Sequence, residues 1–281
     1  MHPMKAPFTS QSFSTKELES ALSVAYRATQ TVAPMLQKNF GASEYSAKRD
    51  EQDWVTEWDR RAEACVIKDL SAFTYDIGIL GEESGIHGSE DVYWTIDPID
   101  GTSHYVRGAD MCTTMIALVD HGIPVAAVIH DFVRGDTYTA IAGSGAFKNF
   151  SKRLRVSSRP VEASHIELYT NTGKAEGQKL RTAIENTGAH LLSYAASGHM
   201  LISVARGTTE GFMSAYLPDR KEWDIAPGAL LVHEAGGIVR NVGSDSFSSR
   251  NPDIIAANPL VFGKLAESVG NQQAEPQVAL V

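Results

Sequence analysis

The spacing of hydrophobic positions predicts two helices in the first quarter of the chain. Ser14 begins a Ser-Thr-Lys-Glu sequence, which is typical of a helix capping box, and apolar residues then recur at mostly helical spacing as far as Gly41. A polar stretch over 43–52 predicts a loop, and residues 53–56 predict a short β-like segment. Helical spacing returns over 57–73, so two amphipathic helices precede the rest of the fold.

Beyond residue 76 the apolar residues occur in short runs that end at glycines or acids, which is typical of strands. In the first half these runs predict an antiparallel meander, whereas in the second half they alternate with helical patterns. The predicted strands are 77–80, 92–96, 113–119, 124–129, 137–142, 166–169, 191–193, 211–213, 238–239 and 253–257, and the later helices are 174–187, 199–205 and 222–235. This change of rhythm indicates an α+β first half and an α/β second half.

The boundary between the two patterns falls near residues 150–160. We therefore predict a first half over 14–152, which carries most of the acidic site residues described below, and a second half over 153–268. The segments 1–13 and 269–281 are polar and are predicted to be flexible tails.

The charge of the chain limits its partners. Its 281 residues include 25 Lys and Arg against 34 Asp and Glu, a net charge of −9, and no basic run. This balance argues against binding to a nucleic acid polymer or to an anionic membrane surface. The chain has neither an apolar run of membrane-spanning length nor a signal peptide pattern, which predicts a cytoplasmic protein. An acidic protein can still bind an anionic substrate when metal ions supply positive charge.

Several acids stand at predicted strand ends or at a helix start rather than along a solvated helix face. They are Glu82, Glu83, Asp97, Asp100 and Asp224. Carboxylate oxygens suit hard cations such as Mg²⁺, and no Cys/His grouping favours zinc. The alternative interpretation is that such acids only cap turns and helices.

The sequence from Asp97 to Thr102 is the densest part of this pattern. Two aspartates three residues apart, Asp97 and Asp100, flank a proline turn that can aim both carboxylates at one point, and the carbonyl of Ile99 can point there too. The sequence Gly101-Thr102-Ser103 then predicts the start of a short helical turn, whose backbone amides form an anion site, and Gly101 lets a ligand approach the backbone closely. Metal ions and amides together would hold a phosphate, and two cations would clamp the attacking and leaving oxygens.

A hydroxyl and a carboxylate complete the predicted chemistry. Thr102 can pass a proton from a water to an acid, and Asp59 is the candidate acid. An ion pair of Asp59 with Arg60 or Arg61 on a helix face is the alternative interpretation. No nucleophile motif of a covalent phosphatase accompanies these residues, so direct attack by water is the predicted reaction.

Four segments resemble motifs of the inositol monophosphatase family, in the family's order and at similar separations, from about residue 14 to 268. The segments are Asp53-Trp54-Val55-Thr56-Glu57-Trp58-Asp59, Gly81-Glu82-Glu83-Ser84, Trp94-Thr95-Ile96-Asp97-Pro98-Ile99-Asp100-Gly101-Thr102, and Trp223-Asp224-Ile225-Ala226-Pro227-Gly228 with Glu234-Ala235-Gly236-Gly237. Each motif alone is weak, but the four in order are highly specific.

The resemblance implies the ligands of two or three Mg²⁺ ions. The first ion would be bound by Glu82, Asp97 and the Ile99 carbonyl, and the second by Asp97, Asp100 and Asp224. A third, weaker ion would lie near Glu82 and Glu83. That ion would help to generate the nucleophilic water, which gives Glu82 a catalytic role as well.

The resemblance also assigns roles around the ions. Thr102 and Asp59 would orient and deprotonate the water, and the amides of Gly101 and Thr102 would cradle the phosphate. Lys48 falls at the position of a mobile-loop lysine. The implied fold is a layered α-β-α-β-α sandwich, and the family implies a homodimer and inhibition by lithium.

Departures from the family pattern concern the substrate. Inositol-specific members place a glutamate where this chain has Leu217, and a segment that contacts substrate in many members corresponds here to 195–198, which includes Ser197. Asp219 or Glu222 can replace the missing glutamate from a shifted loop, whereas Arg220 and Lys221 can bind a second anionic group. Lys48, Ser197, Arg220 and Glu222 are therefore the predicted substrate contacts.

The sequence thus predicts Mg²⁺-dependent hydrolysis of a small, inositol monophosphate-like phosphomonoester by direct attack of a metal-activated water. The alternatives of the same class are 3′-phosphoadenosine 5′-phosphate, histidinol phosphate and a sugar phosphate. A more distant alternative is a phosphate-ligand binder that has the fold without turnover.

Overall fold

The computed structural model describes residues 8–41, 44–48, 54–73, 75, 77–217 and 221–273. Its larger sheet has eight strands in the order β10-β9-β8-β7-β6-β5-β3-β4, in which every pair is antiparallel except β3 with β5. The strands are β3 Gly78–Gly81, β4 Gly85–His87, β5 Val92–Asp100, β6 Thr113–Asp120, β7 Ile123–Asp131, β8 Asp136–Ile141, β9 Gly145–Lys148 and β10 Lys152–Arg153.

Two smaller sheets complete the β-structure. The first is a hairpin of β1 Ser46–Ala47 and β2 Trp54–Val55. The second has five strands in the order β12-β11-β13-β15-β14. Strands β12, β11 and β13 are parallel to one another, and β15 pairs antiparallel with both β13 and β14. Its strands are β11 His165–Tyr169, β12 His190–Leu192, β13 Gly211–Ser214, β14 Ile238–Asn241 and β15 Ile254–Ala257.

Helices form the other layers. They are α1 Thr15–Lys38, α2 Glu57–Leu70, α3 Thr102–Arg107, α4 Ala175–Glu185, α5 Ser197–Ala205, α6 Ala226–Glu234 and α7 Pro259–Gln273, with short 3₁₀ turns at Val161–Ala163 and Glu222–Asp224. One layer, α1 with α2, covers the outer face of the large sheet, and α5 with α6 lies between the two sheets. A third layer, α4 with α7, covers the outer face of the five-stranded sheet. The predicted α-β-α-β-α sandwich is confirmed.

The buried residues of β6 show how one strand serves two cores. Met115 and Ala117 face the layer between the sheets, whereas Ile116 and Leu118 face α1 and α2. Side chains alternate along a strand, so a strand covered on both faces is apolar at nearly every position. The core between the sheets draws residues from both halves of the chain.

The predicted proline turn after Ile96 is wrong. Strand β5 continues through Pro98 to Asp100, and its register against β6 shifts between Asp97 and Asp100. This irregularity interrupts the ladder where Pro98 has no N–H to donate. The strand therefore carries both aspartates to its own end.

The prediction of a flexible tail over 1–13 fails for residues 8–13, which pack against the fold. Phe8 is 1% exposed and stacks on the rings of His233 and Phe247, with centroids 4.3 and 5.0 Å away. Ser10 and Ser12 donate their hydroxyls to the carboxylate of Asp120 at 2.8 Å. Residues 1–7 lie outside the described part of the chain.

Other boundaries also differ from the predictions. Helix α7 extends to Gln273, beyond the predicted start of the second tail at 269, and the loop predicted over 43–52 contains β1. The helix predicted over 222–235 is a 3₁₀ turn followed by α6, because Pro227 lacks an N–H and fits only the first turn of a helix. Strands β4, β9 and β10 and helix α7 were not predicted from the sequence.

Within the described residues, no helix is both long and apolar enough to cross a membrane. The cytoplasmic location and the division into two halves stay predictions.

Candidate active site

Helix α2 carries Asp59 in its first turn, where the side chain is buried. Thr56 caps this helix, and its amide and hydroxyl both donate to Asp59 Oδ2 at 2.7 Å. The alternative ion pairs are not formed, because Arg61 pairs with Glu57 at 2.9 Å and Arg60 approaches Glu83 at 4.0 Å. The second oxygen of Asp59 is therefore available to the neighbouring strand end.

Thr102 provides the group that meets this oxygen. Its hydroxyl lies 3.1 Å from Asp59 Oδ1 and 3.0 Å from the Ile99 carbonyl oxygen. Burial raises the pKa of Asp59 to about 6, despite the two hydrogen bonds from Thr56 that favour its ionised form. The structure thus forms the hydroxyl–carboxylate pair whose residues the sequence analysis selected.

Gly101, which precedes Thr102, permits a close approach of two backbone segments. Its φ is 82°, in the left-handed region, and a Cβ at this position would lie 2.6 Å from the carbonyl oxygen of Met111. A side chain at residue 101 is therefore excluded on both steric and conformational grounds. This restriction sets the path of the chain from β5 into α3.

Asp97 lies at the centre of the acidic cluster and is 2% exposed. Burial and the carboxylates of Glu82, Asp100 and Asp224 raise its pKa well above the usual range. Among the described residues, its Oδ1 atom has no hydrogen-bond partner. A buried carboxylate that is surrounded by other carboxylates needs positive charge nearby if it is to be ionised.

Lys48 supplies part of that charge. Its Nζ atom lies 2.9 Å from Glu82 Oε1 and also contacts Glu83 Oε1. Burial opposes the charged form of Lys48, but the two carboxylates outweigh it and raise the lysine pKa above its ordinary value. Burial and the charges of Asp224 and Glu83 raise the pKa of Glu82 even though Lys48 opposes this shift. Lys48 is therefore an internal cation of the cluster.

Asp100 and Asp224 bound the cluster on the side of the second half. Asp100 accepts the amides of Ser197 at 3.0 Å and Gly198 at 2.8 Å, at the start of α5. Asp224 Oδ2 accepts the amide of Lys221 at 2.7 Å within the 3₁₀ turn. Both acids are thus fixed by backbone donors, and Asp100 joins the end of β5 to α5.

The acidic residues have the donor atoms that a divalent cation prefers, but their spacing in this structure is not that of a metal site. In the part of the chain that the structure describes, no group of three or more His, Cys, Asp or Glu side chains is arranged so that it could hold a metal ion. The available donors are nevertheless oxygens, and the unpartnered Oδ1 of Asp97 is a donor of the kind that Mg²⁺ prefers. The carboxylates of this cluster are the groups that would hold a divalent cation.

Two predicted substrate contacts are engaged in hydrogen bonds within the protein. Ser197 is 2% exposed, with its amide on Asp100. Glu222 accepts the hydroxyl of Ser249 at 2.7 Å and also that of Tyr93, so its carboxylate binds the protein itself. Arg220 and Asp219 lie outside the described residues, and Lys48 is at the cluster.

Two further contacts next to the site were not predicted from the sequence. Glu63 of α2 accepts two amides of the turn that carries the adjacent acids, and His104 Nε2 lies 2.6 Å from the carbonyl oxygen of Tyr194. The spacing of Glu63 four residues after Asp59 is a signal that both face the same way. The bond of His104 to a backbone carbonyl has no comparable signal in the sequence.

Comparison with known proteins places this geometry in a family. A model of the inositol monophosphatase family matches residues 17–274. The chain is 33% identical over 227 residues to Nus factor SuhB of Xylella fastidiosa, which covers 78% of this chain and 81% of that protein. It is 29% identical over 257 residues to inositol-1-monophosphatase of Mesorhizobium japonicum, covering 88% and 95% of the two chains.

A solved structure agrees in fold. The extragenic suppressor protein suhB from Bartonella henselae superposes with a TM-score of 0.81 at 30% identity, over 89% of this chain and 98% of that one. The family that matches this chain and this architecture is of phosphatase type. The chain belongs to the inositol monophosphatase family.

Proposed function

We propose that this protein hydrolyses a small phosphomonoester with the help of Mg²⁺, by direct attack of water on phosphorus. The observation that carries the proposal is the pair formed by Thr102 and the buried Asp59, next to a cluster of carboxylates for which Lys48 supplies only part of the balancing charge. Membership of a phosphatase-type family supports it. If Asp59 served only to cap helix α2, neither its contact with Thr102 nor the neighbouring cluster of carboxylates would be required.

The proposed ligands follow the family pattern. Glu82, Asp97 and the Ile99 carbonyl would hold one Mg²⁺, and Asp97 would share a second with Asp100 and Asp224. Glu82 and Glu83 would hold a third, at the place where Lys48 now binds. When bound, these ions would supply positive charge to the phosphoryl oxygens and lower the pKa of a coordinated water.

The chain's own residues would orient the reactants. The Thr102 hydroxyl, which points at the Asp59 carboxylate, leaves its oxygen lone pairs for a water, and Asp59 would receive the proton through it. The amides of Gly101 and Thr102 would donate to the phosphate. Asp59 is suited to this role because burial brings its pKa to about 6, nearer to neutral than that of an exposed aspartate.

The substrate is proposed only as a small phosphomonoester, with inositol monophosphate as its reference compound. The Leu217 side chain has no polar atom for a sugar-like hydroxyl, and Glu222 is already bound to Tyr93 and Ser249. Neither residue therefore replaces the glutamate of inositol-specific members. 3′-Phosphoadenosine 5′-phosphate, histidinol phosphate and sugar phosphates remain substrates to test, as does binding without turnover. The homodimer and lithium inhibition stay predictions.

A second candidate function is that of a Nus factor. Several relatives of this chain are named Nus factor SuhB. This role need not use the acidic cluster. It is tested by an in vitro transcription termination assay with the wild-type protein and with Asp97→Asn. An effect on termination that the variant retains would favour this function as one independent of catalysis.

The proposed phosphatase activity is tested by phosphate release from a panel of phosphomonoesters with and without Mg²⁺. Asp97→Asn and Asp224→Asn should each lower kcat/KM by about a thousandfold, because each removes a carboxylate from the cluster. Asp136→Asn is the matched control, since Asp136 pairs with Lys148 in the large sheet, away from these acids. Absence of turnover on the whole panel, or full activity of either cluster variant, would contradict the proposal.

A further inference from the structure

The turn that carries Glu82 and Glu83 is held from behind by a third glutamate, Glu63. This residue of α2 is 2% exposed. Its Oε2 atom accepts the amide of Glu83 at 2.9 Å, and its Oε1 atom accepts the amide of Ser84 at 2.8 Å. Both oxygens of one buried carboxylate thus bind successive backbone donors of the same turn.

The backbone around this turn is built for that contact. The remaining amide of the turn, that of Glu82, donates to the Ile96 carbonyl oxygen of β5 at 3.1 Å. A Cβ on Gly81 would lie 2.6 Å from Glu63 Cδ, so only glycine lets the carboxylate come this close. With three consecutive amides anchored, the side chains of Glu82 and Glu83 are both directed to Lys48.

Glu63 and Asp59 are one helical turn apart on α2. Asp59 meets Thr102, whereas Glu63 meets the acidic turn. Residues four apart share a helix face, so a single rigid helix sets the position of both parts of the site. A shift of α2 would therefore move the proton acceptor and the acidic turn together.

We infer that Glu63 is a positioning residue, whose carboxylate fixes the 82–84 turn so that Glu82 and Glu83 can bind cations. It touches neither substrate nor cation and acts through two charge-assisted hydrogen bonds to backbone amides. The inference rests on the proposed function in one respect only, that Glu82 and Glu83 are cation ligands. Residues behind metal ligands commonly affect metal affinity in this way.

The test compares Glu63→Gln with a matched variant elsewhere in the fold, Glu234→Gln. Glu234, on α6, makes the same kind of clamp, because its two oxygens accept the amides of Gly143 and Gly145 at 2.7 Å. Each glutamine keeps the shape but turns an amide NH₂ toward a backbone donor. The two variants therefore lose the same type of interaction at different turns.

The first measurement is amide hydrogen exchange of the metal-free protein. Glu63→Gln should raise the exchange rates of Glu83 and Ser84 by about 10-fold, and Glu234→Gln should do so only at 143–145. The second is Mn²⁺ affinity, measured by electron paramagnetic resonance. Glu63→Gln should raise the Kd for Mn²⁺ by about 10-fold or more, whereas Glu234→Gln should leave it unchanged.

Unchanged exchange at Glu83 and Ser84 in Glu63→Gln would overturn the inference. So would faster exchange with an unaltered Mn²⁺ affinity, since the clamp would then be only structural. A wild-type protein that binds no Mn²⁺ would contradict the proposed function and, with it, the role of Glu63 toward cations. Should Glu63→Gln not fold, Glu63→Asp carries the same test, because it keeps the charge but is one methylene too short for both amides.

Discussion

Thr102 Oγ1 lies 3.1 Å from Asp59 Oδ1 and 3.0 Å from the carbonyl oxygen of Ile99, so two acceptors compete for its one hydrogen. A hydrogen bond to an ionised carboxylate is stronger than one to a neutral carbonyl. Because the pKa of Asp59 is about 6, the carboxylate is the preferred acceptor at neutral pH and the carbonyl gains importance in acid. The direction of the Thr102 hydroxyl is thus tied to the ionisation of Asp59.

Replacement of Asp59 by asparagine should remove activity while it preserves the helix cap. The asparagine oxygen can still accept the Thr56 amide, but its NH₂ group cannot take a proton from Thr102. We expect kcat to fall by about 10²–10⁴-fold, which is the usual contribution of a general base. Steady-state phosphate release at saturating Mg²⁺ measures this loss.

Glu17→Gln is the control for Asp59→Asn. Glu17 closes the equivalent capping box on α1, where it accepts the amide and hydroxyl of Ser14 at 2.7 Å. This variant should retain kcat even where its melting temperature falls. A kcat of Asp59→Asn within about threefold of wild type would show that the Thr102 pair has no role in proton transfer.

Removal of the internal cation should strengthen metal binding. In Lys48→Met, the carboxylates of Glu82 and Glu83 lose the ammonium group that now contacts them, and a divalent cation no longer has to displace it. We expect the Kd for Mn²⁺ in the absence of substrate to fall by about 10-fold, a modest share of the attraction between adjacent charges near a protein surface. Titration followed by electron paramagnetic resonance measures the affinity.

Lys48→Arg keeps the positive charge and serves as the control, with an affinity near that of wild type. A Kd that rises in Lys48→Met would mean that Lys48 helps to hold the cluster in its binding geometry. The substrate KM, measured in parallel, shows whether the lysine also contacts phosphate.

The layered fold and the residues of the site were predictable because their signals are local. A continuous apolar run marks β6, and the acids of the cluster stand next to strand ends in the sequence. The position of Glu63 was not predictable in the same way, since its partners are backbone amides, which no residue type marks. The path of β5 through Pro98 depends on a register shift against β6, which is a property of the pair and not of one strand.

The packing of residues 8–13 also depends on residues that are distant in the sequence. Residues 8–13 are polar apart from two phenylalanines, and only the distant positions of His233, Phe247 and Asp120 hold them against the fold. Helix α7 differs, because Val261, Leu265 and Val269 recur at helical spacing and are all buried. That helix was detectable in the sequence, whereas the docking of residues 8–13 was not.

Truncation of Phe8 should destabilise the fold although it lies near the start of the chain. The ring is buried between His233 and Phe247, so Phe8→Ala would leave a cavity and should lower the free energy of unfolding by about 3–5 kcal/mol. Chemical denaturation followed by circular dichroism measures the change. Phe150→Ala is the control, because Phe150 is 51% exposed and should cost less than about 1 kcal/mol. Equal effects of the two variants would contradict the described packing of residues 8–13.

Glu167 should make stability depend on pH in the neutral range. It lies on β11 and is 1% exposed, with Oε1 accepting the Thr209 hydroxyl at 2.9 Å, and within the described residues its Oε2 has no hydrogen-bond partner. Burial raises the pKa of Glu167 from 4.5 to about 8, so between these values the folded protein retains a proton that the unfolded chain releases. The free energy of unfolding therefore falls as pH rises through this window, by up to about 1.4 kcal/mol per pH unit from this one group.

Glu167→Gln resembles the protonated acid and removes this dependence. At pH 5 the variant and the wild type should have similar stability, and by pH 8 the variant should be more stable by about 1–3 kcal/mol. Urea denaturation of both proteins from pH 5 to 8.5 tests this, because the titration of the acidic cluster is common to both and cancels in the difference. Glu210→Gln should destabilise the protein instead, since Glu210 pairs with Arg159 and accepts the His165 amide. Parallel stability curves for wild type and Glu167→Gln would show that Glu167 has ordinary acidity in the folded protein.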